Sequence, residues 1–123
     1  MTQKVHMKHF SLEEFDSPDV PGSGARMDPH FLNMLDAIRD DAGIPFVINS
    51  GFRTPERNKL DGGKPNSAHL KGFAADISAP DSLTMALIII TAVQHGIKRI
   101  GVGKHFVHLD IDSSLPTPRI WTY

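Results

Sequence analysis

Two stretches of this sequence hold side chains suited to binding a metal ion. The first reads Ser67-Ala68-His69-Leu70-Lys71-Gly72-Phe73-Ala74-Ala75-Asp76. On one helix His69 and Asp76 would be about 10 Å apart, too far to share an ion. Fully extended, they would be roughly 23 Å apart. A turn must fold His69 back over the strand that carries Asp76, and Gly72 is placed to supply it. Along that strand Phe73, Ala75 and Ile77 point one way, and Ala74, Asp76 and Ser78 the other. The first set reads as core. The second sets a small residue beside the carboxylate and leaves room for an ion. The stretch 106–111 repeats the pattern, with Val107, Leu109 and Ile111 as an apolar face and Phe106, His108 and Asp110 opposite. Together His69, Asp76 and His108 supply two imidazoles and one carboxylate. Three protein ligands with a fourth position open to water is the arrangement of catalytic zinc. Zinc lowers the pKa of its water towards about 7 and polarises a carbonyl. Asp110 would either take the proton from that water or hold a ligand imidazole in orientation.

Each residue has a plainer reading taken singly. His69 is then an ordinary polar histidine, Asp76 a strand-end ion pair and His108 a satisfied core ring. It is their joint spacing that points to a cation. His6, His9, His30 and His95 lack any partner pattern and read as surface residues, with His95 beside Gly96 suiting a helix C-terminus. Gly62-Gly63 reads as a turn, since no GxxxxGK[ST] phosphate cradle is present.

The elements that must position these residues can be read from punctuation and periodicity. Phe10–Phe15 (FSLEEF) reads as a short helical turn with Ser11 and Glu14 in a capping box. The stretch 16–25 reads as an irregular loop, with two prolines and two glycines. Asp28-Pro29 starts a helix that runs over Pro29–Ala42, with Phe31, Leu32, Leu35 and Ile38 at helical spacing and Gly43 as the stop. A short strand is predicted at Phe46–Asn49, a short helix from Thr54-Pro55-Glu56 towards Leu60, and a loop over Asp61–Pro65. Phe73–Ser78 is a strand. Ser82–His95 is a third helix, apolar on most sides and therefore expected to be well buried. Arg99–Val102 and Phe106–Ile111 are strands joined too tightly for a parallel crossover. The tail 113–123 carries two prolines, and its Trp121 would either line a cleft or pin the tail, with the tail favoured. Mixed helices and strands without βαβ alternation predict an α+β domain, a small antiparallel sheet with packed helices.

Composition bounds the rest. At 123 residues the chain is expected to form a single domain, 1–123. Thirteen Lys+Arg against fourteen Asp+Glu give a net charge of −1, so no basic field suggests nucleic acid or an anionic membrane. Cysteine is absent, which excludes disulfides and thiol catalysis and leaves His, Asp and Glu as metal ligands. A serine hydrolase is disfavoured because no GxSxG elbow is present. The opening MTQKVHMKHF lacks the apolar stretch of a signal peptide, and the run around Leu87–Ile90 is too short to span a bilayer. The expectation is a soluble monomer made in the cytosol.

The SxHxxGxAxD motif with a later HxD strand resembles the zinc D-Ala-D-Ala carboxypeptidases and L-alanyl-D-glutamate endolysins. These bacterial and phage peptidases cut peptidoglycan stem peptides on a Hedgehog-like α+β fold. The resemblance takes in FSLEEF, Asn49-Ser50-Gly51-Phe52-Arg53-Thr54, the Gly62-Gly63 loop with Ser67, both ligand strands and the Trp121-Thr122-Tyr123 end. It implies that His69, Asp76 and His108 ligate zinc. It implies that Arg53 binds the substrate carboxylate or the developing oxyanion, and that Ser67 contacts substrate near the metal. Several members place Glu three residues before the last histidine, where this chain has His105. Either His105 takes the role of base, or Asp110 does, or the site binds metal with weak turnover. Parity puts His105 on the core side of its strand, which favours Asp110. The expected activity is hydrolysis of an amide in a stem peptide, on the wall after release or from a virion. The alternative is a non-catalytic wall-binding or phage structural module that keeps the metal.

Overall fold

The computed structural model describes Val5 and residues 7–123. His6, expected at the surface, lies outside the described residues, as do residues 1–4 of the segment read for a leader. Three helices and five strands follow in the order α1 (Pro29–Ala42), β1 (Ile48–Ser50), α2 (Pro55–Leu60), β2 (Ala74–Ser78), α3 (Ser82–Gln94), β3 (Arg99–Val102), β4 (Phe106–Asp110) and β5 (Arg119–Thr122). Single 3-10 turns occupy Leu12–Phe15, Ser23–Arg26 and Ala68–Lys71. The sheet order is β1-β2-β4-β3-β5, antiparallel throughout except for the parallel β3–β5 pair. The fold is therefore α+β, as the sequence predicts.

Local chemistry sets the helix ends. Asp28 accepts a hydrogen bond from Phe31 N at 2.9 Å, Pro29 fills the first helical position, and Gly43 closes α1 at φ 69°. Thr54 caps α2 in the same way, with Oγ1 accepting from Arg57 N at 3.1 Å. Phe31, Leu32, Leu35 and Ile38 of α1 are fully buried. They join Ala75 and Ile77 of β2 and Val107 and Leu109 of β4 in one core. Alternation along β2 and β4 then turns Asp76, His108 and Asp110 to the opposite face.

Three expectations need correction. The tail is not merely a tail: Arg119–Thr122 forms β5, an edge strand that pairs in parallel with β3. Its partner is distant in sequence, so no local signal announces it. The first strand starts at Ile48 rather than Phe46, because Phe46 is buried in the core and the paired register with β2 begins at Ile48. Helix α3 is less buried than its composition suggests. Ile88, Thr91 and Ala92 are its buried residues, whereas Leu83, Ile90 and Val93 are 69%, 55% and 57% exposed. Among the described residues, only one side of this helix has a partner.

Candidate metal centre and cleft

The site is laid out along one row of the sheet. Cross-strand register sets Ser50 opposite Asp76, Asp76 opposite His108, His108 opposite Gly101, and Gly101 opposite Trp121. This row crosses all five strands. A neighbouring row sets Ala74 opposite Asp110, Asp110 opposite Arg99, and Arg99 opposite Arg119. Two residues of the candidate site, Asp76 and His108, thus meet because their strands pair, not because of sequence proximity.

His69 reaches the same point from the turn before β2. Ser67 caps that turn, with Oγ accepting from His69 N at 3.2 Å. Gly72 closes it at φ 75°, the left-handed turn that the sequence requires there. The segment 50–53 holds His69 from the other side. His69 Nδ1 donates to Gly51 O at 2.8 Å, and Arg53 N donates to His69 O at 3.2 Å. Phe52 N in turn donates to Phe15 O at 2.9 Å, which ties in the N-terminal turn.

A carbonyl can only accept, so His69 carries its proton on Nδ1 and presents the Nε2 lone pair. That Nε2 is buried and has no hydrogen-bond partner among the described residues. It lies 3.3 Å from Asp76 Oδ1, and His108 Nδ1 lies 2.9 Å from the same oxygen. The three atoms fall within 4.8 Å of one another. Donors about 2 Å from a tetrahedral zinc ion are separated by about 3.3 Å, so the set fits zinc. The unpaired nitrogen is the decisive detail, because an orphaned buried polar atom is costly unless something ligates it.

The surroundings of the three residues orient them. His108 Nε2 donates to Asp110 Oδ2 at 2.7 Å, which leaves Nδ1 to face Asp76 and His69. Arg53 NH2 donates to Asp76 Oδ2 at 3.2 Å and its Nε to Ser50 Oγ at 2.9 Å, leaving Oδ1 for the centre. Burial pushes the Asp76 carboxyl up, but the hydrogen bond from the His108 ring leads the contacts that outweigh it, and the carboxyl is held well below the ordinary value. Burial pushes the His108 ring down, but Asp110 and Asp76 outweigh it and the net shift is upward.

These residues form the floor of a cleft of about 810 Å³. Arg53, Ser67, His69, Asp76, His108 and Asp110 all line it. Trp121 lines it too, with its ring 5.4 Å from that of His108. The tail therefore does both jobs, pairing with β3 and walling the cleft. A Cβ at Gly101 would come within 2.6 Å of Trp121 Nε1, so only glycine lets the indole lie there.

Two expectations about a base meet obstacles. His105 is exposed in the β3–β4 turn and is not among the residues lining the cleft; it precedes β4, so strand parity does not apply to it. Asp110 is 1% exposed and both its oxygens are engaged, Oδ1 by Arg99 Nε at 2.8 Å and Asp112 N at 3.1 Å, Oδ2 by His108. Its geometry matches the alternative of holding a ligand ring. Sequence reasoning missed Arg99, although it shares a strand face with Gly101 by the same alternation that exposed Asp76. Asn58 was missed as well; its Oδ1 accepts from Arg53 NH1 at 3.3 Å, and no spacing rule links the two.

A model of the family described as Peptidase M15 matches residues 8–110 of the 123. The chain belongs to the Peptidase M15 family. No curated protein matches it. M15 peptidases are zinc-dependent metallopeptidases, and the buried His69-Asp76-His108 group is the one that could hold a metal among the described residues of this M15 chain. The matched span includes every residue of that group; β5, with Trp121, lies beyond it.

Proposed function

We propose that this M15 protein hydrolyses an amide bond in peptidoglycan stem peptides, with His69, Asp76 and His108 holding zinc. The observation that carries this reading is the unpartnered His69 Nε2, buried at the cleft floor beside Asp76 Oδ1 and His108 Nδ1. Zinc held there supplies Lewis acidity to the hydrolysis. Arg53 fixes the far oxygen of Asp76 and presents its guanidinium to the cleft, where it would meet a substrate carboxylate. Lys64 and Arg119 add positive charge to the cleft lining, which suits an anionic stem peptide. Ser67 lines the cleft beside His69 and is placed to contact the bound peptide. Asp110 holds the His108 ring rather than moving a proton. Trp121 offers a flat apolar wall against which a peptide can lie.

A second reading keeps the metal without turnover, as a wall-binding module or a phage structural part. One observation favours it. Each cleft-lining carboxylate among the described residues is already engaged: Asp61 by Arg53 and Arg57, Asp76 by Arg53 and His108, Asp110 by Arg99 and His108. Zinc-loaded protein incubated with purified peptidoglycan separates the two, with mass spectrometry of the released fragments. Peptidase action predicts new stem-peptide termini that vanish with a chelator and in His108→Ala. Intact peptidoglycan at full zinc occupancy would favour the module.

A further inference from the structure

Among the described residues, Arg99 is the one buried cation beside the proposed metal ligands that the zinc reading does not use. It is 9% exposed, on β3, between β4 and β5. Its Nε donates to Asp110 Oδ1 at 2.8 Å, and NH1 donates to the carbonyl of Pro116 in the segment leading to β5. Its guanidinium carbon lies 5.0 Å from the centre of the Trp121 ring. Asp110 Oδ2 accepts from His108 Nε2 at 2.7 Å. Two hydrogen bonds therefore connect Arg99 to the ring that presents Nδ1 to the centre, and two further contacts connect it to the cleft wall. A planar fork with several donors can serve all these partners together, whereas a lysine ammonium on a flexible stem cannot.

We propose that Arg99 is a positioning residue that fixes His108 through Asp110 and, with the same guanidinium, seats Trp121 over the metal centre. The proposal rests on the reading of His108 as a zinc ligand. Metal-ligating histidines are commonly held through their other nitrogen, and loss of such a holder weakens metal binding by about 10–100-fold. Here the holder is itself held, and the second hold is shared with the substrate wall. Metal affinity and wall position are thereby coupled through one side chain.

The test uses the full chain and two readouts: zinc affinity by competition with a chromophoric chelator, and the emission of Trp121, the only tryptophan. Arg99→Lys and Arg99→Gln are expected to lower zinc affinity by about tenfold or more while remaining folded by circular dichroism. Both should blunt the change in Trp121 emission on adding zinc. Lys98→Ala, an exposed neighbour, should leave both readouts as in the wild type. Adding Arg99→Gln to Asp110→Asn should cost little further affinity, because both act on His108 along one path. A merely structural role would lower the melting temperature and leave the affinity of the folded protein alone. The proposal is overturned if folded Arg99→Lys binds zinc within about twofold of wild type with the same emission change. It is overturned equally if Arg99→Lys cannot fold, since Arg99 would then be a determinant of the fold. Wild-type protein that binds no zinc would remove the ligand reading, and this proposal with it.

Discussion

His108 is gripped at both ring nitrogens by carboxylates, Asp76 at Nδ1 and Asp110 at Nε2. Without metal, the Nδ1 contact is a proton shared between two groups proposed to ligate one cation. Ion and proton therefore compete for the same lone pair. Burial opposes the charge on this ring, yet the two carboxylates prevail and its pKa is raised above 6.5. In the zinc-free protein the protonated ring stabilises the fold fully below 6.5, and that contribution is lost as pH rises through the raised value. Zinc shows the opposite dependence, binding more weakly as pH falls through that value. The stabilisation given by zinc should therefore grow as pH is raised from 6.5 upward through that window. Calorimetric melts with zinc and with a chelator, run across it, would show the increment rising. A flat or shrinking increment would contradict the role given to His108.

At the scale of elements, the Ala68–Lys71 turn decides whether His69 can reach β2 at all. Gly72 closes it at φ 75°, and a Cβ there would lie 2.5 Å from Arg26 O and 2.9 Å from Met27 Cα. Gly96 after α3 also has a positive φ, 87°, but a Cβ there meets nothing within 4 Å. Alanine in the left-handed region costs roughly 1–2 kcal/mol in either place. Gly72→Ala adds a clash with backbone that cannot swing aside. It should therefore lose clearly more stability in urea melts than Gly96→Ala, and it should also weaken zinc binding, which Gly96→Ala should not. Equal losses would mean the turn has slack. The ends of α1 were legible because Asp28, Pro29 and Gly43 are local signals. The exposed side of α3 was not, since hydrophobic content says a helix can be buried but not how much of it finds a partner.

Over the whole molecule, the proposed ligands His69, Asp76 and His108 come from a turn and two strands, so an ion held by them would close long loops of chain. Zinc that binds only the folded state stabilises it by mass action, about 2.7 kcal/mol at a hundred times its Kd. For a chain of this size that corresponds to a rise in Tm of about 10 °C, to be read as the difference between melts with zinc and with a chelator. His108→Ala should abolish the difference. The sequence by itself determined the α+β class, the limits of α1, the faces of β2 and β4, and the turn at Gly72. All of these follow from steric rules that act within a few residues. It also marked His69, Asp76 and His108, because a motif of fixed spacing survives without knowledge of the fold. Only the tertiary structure decided that Asp110 is wholly engaged, that His105 stands outside the cleft, and that the tail becomes a strand bearing Trp121. Those outcomes depend on partners such as Arg99, eleven residues from Asp110, and β3, which pairs with β5. Hydrogen-bond saturation and edge pairing depend on which atoms meet in space, and that information appears only once the chain has closed on itself.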